Sequence, residues 1–129
     1  MPPIEFLFSQ IADKLKDLQD KYPGSYIICY GDFNVSPDDL LDRFPPRITQ
    51  SNQNRNLVQL LCTDLSLPDS WRFLNPDKQE FTWSNRNLSS KSRIDLCLIS
   101  TSALHVINEV SHLAASLTDH KQIIVETRL

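Results

Sequence analysis

The sequence predicts an α/β fold, and three observations carry it. Leu7, Ile11, Leu15 and Leu18 recur at helical spacing, with Asp13, Lys14, Lys16, Asp17, Asp20 and Lys21 on the other side. Pro23-Gly24 stops that helix, and an apolar run, Ile27-Ile28-Cys29-Tyr30, follows it at once. A second apolar run, Ile94-Asp95-Leu96-Cys97-Leu98-Ile99, has the same strand-like character. Helix, short loop, buried strand is the opening unit of layered α/β proteins.

The stretch from Tyr26 to Asn34 organises the chain. Its apolar run reads as a strand covered on both faces. Gly31 then lets the backbone turn or approach a neighbour closely. Asp32 and Asn34 follow with Phe33 between them, so in extended geometry both side chains leave one face. A carboxylate and a carboxamide at the C-terminal end of a buried strand sit where open α/β sheets place their chemistry. The plainer alternative makes them turn formers.

At 129 residues the chain is one domain at most. Its hydrophobic share of 40% is ordinary for a soluble globular protein. No stretch is long and apolar enough to span a membrane, and no secretory leader is expected, since Glu5 comes early. Cys29, Cys62 and Cys97 are odd in number, far apart and set among apolar residues. They read as free thiols in a reducing intracellular setting, nucleus or cytoplasm, and not as disulfides or a zinc site. A net charge of −3 argues against indiscriminate nucleic-acid binding. Yet Arg43, Arg47 and Arg55 fall in a segment without acids, as do Arg86, Lys91 and Arg93. These segments either flank a phosphate ester or are solvated loops.

The first helix is expected over Ile4–Lys21. Ser36-Pro37-Asp38-Asp39 reads as a turn or helix start with Ser36 as its cap. Residues 44–56 read as a polar loop. Leu57, Val58, Leu60, Leu61 and Leu65 predict a second helix ending near Leu67-Pro68. Trp71 and Phe73 lie in a connecting region, as core anchors or as platforms for a base. Phe81–Ser84 is a short strand, Arg93–Ser100 a buried one, Val106–Ala115 a mixed strand or turn, and Gln122–Glu126 the last strand. Asp95 inside an apolar run needs a partner, either Arg93 or a backbone N–H, or a histidine that it orients. His105 and His112 have no companions at metal-ligand spacing and read as structural or exposed.

Three short segments now combine. Gly31-Asp32-Phe33-Asn34, Arg93-Ile94-Asp95 and Thr118-Asp119-His120, each at a strand edge and in this order, resemble the C-terminal half of the endonuclease/exonuclease/phosphatase superfamily. Phe81-Thr82-Trp83 ahead of Ser92-Arg93-Ile94-Asp95 is similar to the apurinic-type endonuclease of LINE-type retrotransposons. The inositol phosphatases of the superfamily usually carry a Trp-Cys-Asp-Arg type segment in place of Ser92–Asp95, so their branch fits less well. Thr118 stands where Ser is usual and keeps a hydroxyl.

The resemblance implies an α/β/β/α sandwich, here partial, that hydrolyses phosphodiesters of DNA with Mg²⁺ or Mn²⁺. It implies that Asp32 holds or activates the attacking water, that Asn34 positions water or phosphate, and that His120 meets the scissile phosphate with Asp95 orienting it. Asp119 would bind the metal. Thr82 would hydrogen-bond near the phosphate, and Arg86, Lys91 and Arg93 would contact the substrate. The family's first half, with its Asn, metal-binding Glu and Tyr, has no counterpart here; Glu5 does not supply that Glu. The expectations are therefore a fragment of a nuclease, inactive or impaired alone, with one bare apolar sheet face. Its partners would be DNA, the missing N-terminal half and a downstream reverse transcriptase, with no membrane. The alternatives are a non-catalytic remnant that binds nucleic acid weakly and a phosphatase of the same superfamily.

Overall fold

The computed structural model describes residues 4–48, 53–115 and 118–128, and side chains from residue 9 onward within those ranges. The first helix, α1, spans Ile4–Lys21 as its periodicity predicts. Glu5 falls among the residues whose side chains lie outside the description. Leu15 reaches the core, and Gln19 ties α1 to the carbonyl of Leu65 at 2.6 Å.

The strand after it, β1, spans Ile28–Asp32 and pairs antiparallel with β5, Asp95–Ile99. Every strand pair among the described residues is antiparallel. Arg43–Phe44 (β2), Trp83–Ser84 (β3) and Lys91–Ser92 (β4) form a second sheet in the order β2-β4-β3. Ile107–Ala114 (β6) and Lys121–Thr127 (β7) form a third pair.

β5 is buried along its whole length because it serves two cores. Alternate side chains of a strand point to opposite faces. Leu96 and Leu98 join Leu57, Val58, Leu61, Leu65 and Leu67 on one face. Cys97 and Ile99 join Trp71, Ala103, Ile107 and Val110 on the other.

β1 corrects the sequence expectation. Only its Cys29 face packs on the first core. Ile28 and Tyr30 face outward and are 46% and 69% exposed. An apolar run is ambiguous here, because the composition of a strand does not show whether its second face has a cover.

Other boundaries move too. Helix α2, Gln53–Thr63, begins inside the expected polar loop and stops before Leu65. Its Leu57, Val58 and Leu61 are buried. Asp38, not Ser36, organises the turn after Asn34, by accepting the N–H groups of Leu40 and Leu41. Ser70–Leu74 is a short helix, α3, where only a connection was expected. Asp69 caps it by accepting from the N–H of Arg72. Trp71 is buried as a core anchor, whereas Phe73 is exposed. Thr101–Val106 forms a 3-10 helix ahead of β6. The three cysteines are free thiols, and no described helix is long and apolar enough to cross a membrane.

Candidate active site

The register of β1 on β5 places Asp32 directly opposite Asp95. Opposed residues of an antiparallel pair share a face, so the two carboxylates stand side by side. Gly31, just before Asp32, has φ +148°, a conformation that suits glycine, while a Cβ there would meet nothing within 4 Å. Beyond Asp32 the chain turns and does not run on extended. The Asp32 carboxylate accepts the N–H of Asn34 at 2.7 Å, and Asn34 adopts φ +54°. Asp32 and Asn34 therefore form a turn and also line one cavity, which joins the two readings that the sequence left open.

His120 completes the group. Its Nδ1 lies 2.8 Å from Asp95 Oδ2. Its Nε2 lies 3.9 Å from Asp32 Oδ2 and 3.9 Å from Asp119 Oδ1. Asp95 is nearly buried, while Asp119 is largely exposed, so the histidine bridges the interior and the open rim. The hydrogen bond to Asp95 holds the imidazole above the usual histidine range; burial opposes this, and the charges of Asp95, Asp32 and Asp119 add to it. Ligand atoms of Asp32, Asp95 and His120 lie within 4.8 Å of one another.

The remaining residues singled out by sequence divide. Lys91, on β4, lines a second cavity together with Asp119 and His120. Arg86 stands exposed in the turn between β3 and β4. Arg93 is a correction: it is 0% exposed, and it donates to Asp42 and to Asp69. Burial works against its charge, but those two carboxylates outweigh it and raise the pKa above the usual arginine value. It therefore offers nothing to a substrate at the surface. Thr82 lines the same second cavity but is buried, and its hydroxyl accepts the N–H groups of Ile94 and Asp95 at 3.0 and 3.1 Å.

Sequence reasoning passed over Trp83 as a site residue. Its Nε1 donates to Asp119 Oδ2 at 3.0 Å, and its backbone bridges to His120. It also passed over Ser92, which lies between Arg43 and Trp83 across the second sheet on a cavity of about 340 Å³ that reaches His120. Arg43 itself belongs to the acid-free segment that the sequence offered as a flank for a phosphate ester.

The model of the endonuclease/exonuclease/phosphatase family matches residues 3–120. The chain belongs to this family. Among solved structures of this fold, the 3′ phosphatase NExo from Neisseria, bound to a product DNA hairpin, is 25% identical with a TM-score of 0.76. A structure titled 3′-5′ exonuclease NExo from Neisseria meningitidis is 26% identical with a TM-score of 0.74. The AP endonuclease LMAP from Leishmania major shares the fold, at 14% identity and a TM-score of 0.75. Against these the chain is covered over 95%, 93% and 95% of its length, but it spans only 52%, 51% and 43% of theirs. The chain thus spans about half the length of the family structures it matches. No curated protein matches it.

Proposed function

We propose that the chain carries one half of a DNA phosphodiesterase site, in a nuclease of the retrotransposon endonuclease type. The observation behind this reading is the meeting of Asp32, Asp95, Asp119 and His120 on one rim. Phosphodiester hydrolysis requires a water activated in line and charge neutralised on the phosphate oxygens. In the proposal, Asp32 orients the attacking water and accepts its proton. Asn34 lies in the same cavity and positions the phosphate. His120, held protonated by Asp95, donates from Nε2 to a phosphate oxygen as charge develops there.

The donor set suits a hard cation. Asp119 is an exposed oxygen donor, and Mg²⁺ commonly binds through one or two carboxylates while keeping its waters. Asp119 would hold Mg²⁺ or Mn²⁺, which would supply charge neutralisation on the phosphate. One carboxylate makes a weak site. The proposal therefore includes a second piece of the domain, the N-terminal half, to complete it. That piece would also cover Ile28 and Tyr30, the apolar strip that runs up to Asp32. The free thiols fit a reducing compartment in the cell.

The test is nicking of supercoiled plasmid with Mg²⁺, against an EDTA control. The isolated chain is expected to leave the plasmid intact. A longer chain containing these residues and the other half is expected to nick it, and Asp119→Ala in that chain abolishes nicking. Cutting at full rate by that variant would remove Asp119 from the site. A second reading, processing of DNA 3′ ends, rests on the likeness to the two Neisseria structures. End-labelled duplexes bearing a 3′ phosphate separate it from internal nicking. Salt-sensitive DNA association without turnover by the longer chain would instead favour a binding remnant.

A further inference from the structure

Resting on that reading of the site, we propose that Thr82 and Trp83 form a two-residue clamp that positions both sides of the catalytic group. Neither is a catalytic residue; each acts through another.

Thr82 is used at every polar atom. Its N–H donates to the Ser92 carbonyl at 2.9 Å, which fixes it to β4. Its carbonyl accepts the N–H of Lys121 at 2.7 Å, which fixes it to the start of β7 immediately after His120. Its Oγ1 accepts the N–H groups of Ile94 and Asp95, which fixes it to the start of β5. A hydroxyl has two acceptor lone pairs, so both N–H groups are accommodated while its own hydrogen turns toward Ser92 O at 3.5 Å. One buried residue therefore ties the start of β5 at Asp95, through its side chain, to the start of β7 just after His120, through its backbone. The 2.8 Å contact between Asp95 and His120 depends on that spacing.

Trp83 secures the exposed side. Asp119 is 63% exposed at its side chain and has no strand to hold it. The indole N–H of Trp83 takes its Oδ2 and leaves Oδ1 on the side of His120 Nε2. A buried backbone N–H needs a partner whatever the residue's function. A threonine that meets the N–H groups on one side of the site, next to a tryptophan that holds the carboxylate on the other, is more than backbone satisfaction requires.

The test uses the ¹⁵N-labelled chain, which has two tryptophans, Trp71 and Trp83, and so two indole N–H resonances. Trp83→Phe assigns them. Asp119→Ala is expected to shift the Trp83 resonance upfield and to leave that of Trp71 in place. Thr82→Val is expected to lose the hydrogen-bonded Nδ1 signature of His120, and Thr82→Ser, which keeps the hydroxyl, to restore it. An unmoved Trp83 indole in Asp119→Ala overturns the Trp83 side of the clamp. A wild-type His120 signature in Thr82→Val overturns the Thr82 side. Because Asp119 is exposed, its variant reports even if Thr82→Val fails to fold. These readouts do not involve cleavage. Absence of nicking by the longer chain would therefore sink the proposed function without touching the clamp.

Discussion

Among the described residues, two clusters gather several aspartates around one basic side chain, and they differ in nearly everything but composition. In one, Asp42 and Asp69 enclose Arg93, with Arg72 against Asp42. Arg93 and Asp42 have lost almost all contact with solvent, and the guanidiniums of Arg72 and Arg93 also lie over the Trp71 ring, at 4.9 and 4.8 Å. In the other, Asp32, Asp95 and Asp119 surround His120, which keeps an open side. The first cluster is closed on itself, so it can hold α3, β5 and the turn at Asp42 together but cannot meet a ligand. The second pairs one buried carboxylate with two exposed ones, which leaves charge available for chemistry.

The largest effect belongs to the closed cluster. Asp42 accepts from Arg93 through both carboxylate oxygens and also from Arg72 and from the Asp38 N–H. Asp42→Ala leaves those donors without their anion, and removing one partner of a buried ion pair costs about 3–5 kcal/mol. Denaturant unfolding of the variant should show that loss as a lower midpoint. A change of under about 1 kcal/mol would mean that water reaches the guanidinium and that the closed cluster is not closed.

Asp95→Asn should do the reverse: little to the fold and much to the chemistry. It removes the anion that raises the His120 pKa. The raised pKa means that the folded state favours the imidazolium. The stabilisation is complete below the unfolded histidine value of 6.5 and fades as pH rises through the higher folded value. The stability gap between wild type and Asp95→Asn should therefore be widest below about pH 6.5 and should narrow on the alkaline side. Unfolding at a series of pH values, with His120 followed by NMR, checks both parts. In an active longer chain, loss of a positioned acid of this kind lowers the rate about 10²–10⁴-fold.

The contrast also shows what the sequence could reveal. Asp32, Asp95, Asp119 and His120 were legible because each belongs to a short segment at a strand edge, and register then does the assembling. Arg93 misled because it ends an acid-free basic segment and only one residue separates it from Asp95. In a strand, residues two apart share a face, but here Arg93 lies ahead of β5, and its backbone N–H is turned to the Asp42 carbonyl. Asp42 and Asp69, its real partners, lie 51 and 24 positions away, and no local pattern marks them. The helix at Ser70–Leu74 was missed for a related reason. Five residues are too few for periodicity, and its signal was the cap at Asp69. Thr82 and Trp83 were seen as strand and motif, yet their hydrogen bonds run to segments that the chain reaches only later.

The smallest effect tests the same comparison from the surface. Arg86 is a free-standing cation in the turn between β3 and β4, exposed where Arg93 is enclosed. Arg86→Ala should change stability by no more than about 0.5 kcal/mol, the usual range for a surface substitution. If the turn follows a DNA backbone beside the site, the same change should reduce the salt dependence of DNA binding by about one ion and weaken all sequences alike. Filter binding of duplexes at several salt concentrations measures that slope. An unchanged slope would remove Arg86 from the substrate surface. Lys91, which lines the cavity with Asp119 and His120, would then be the remaining basic residue of that segment in contact with the site.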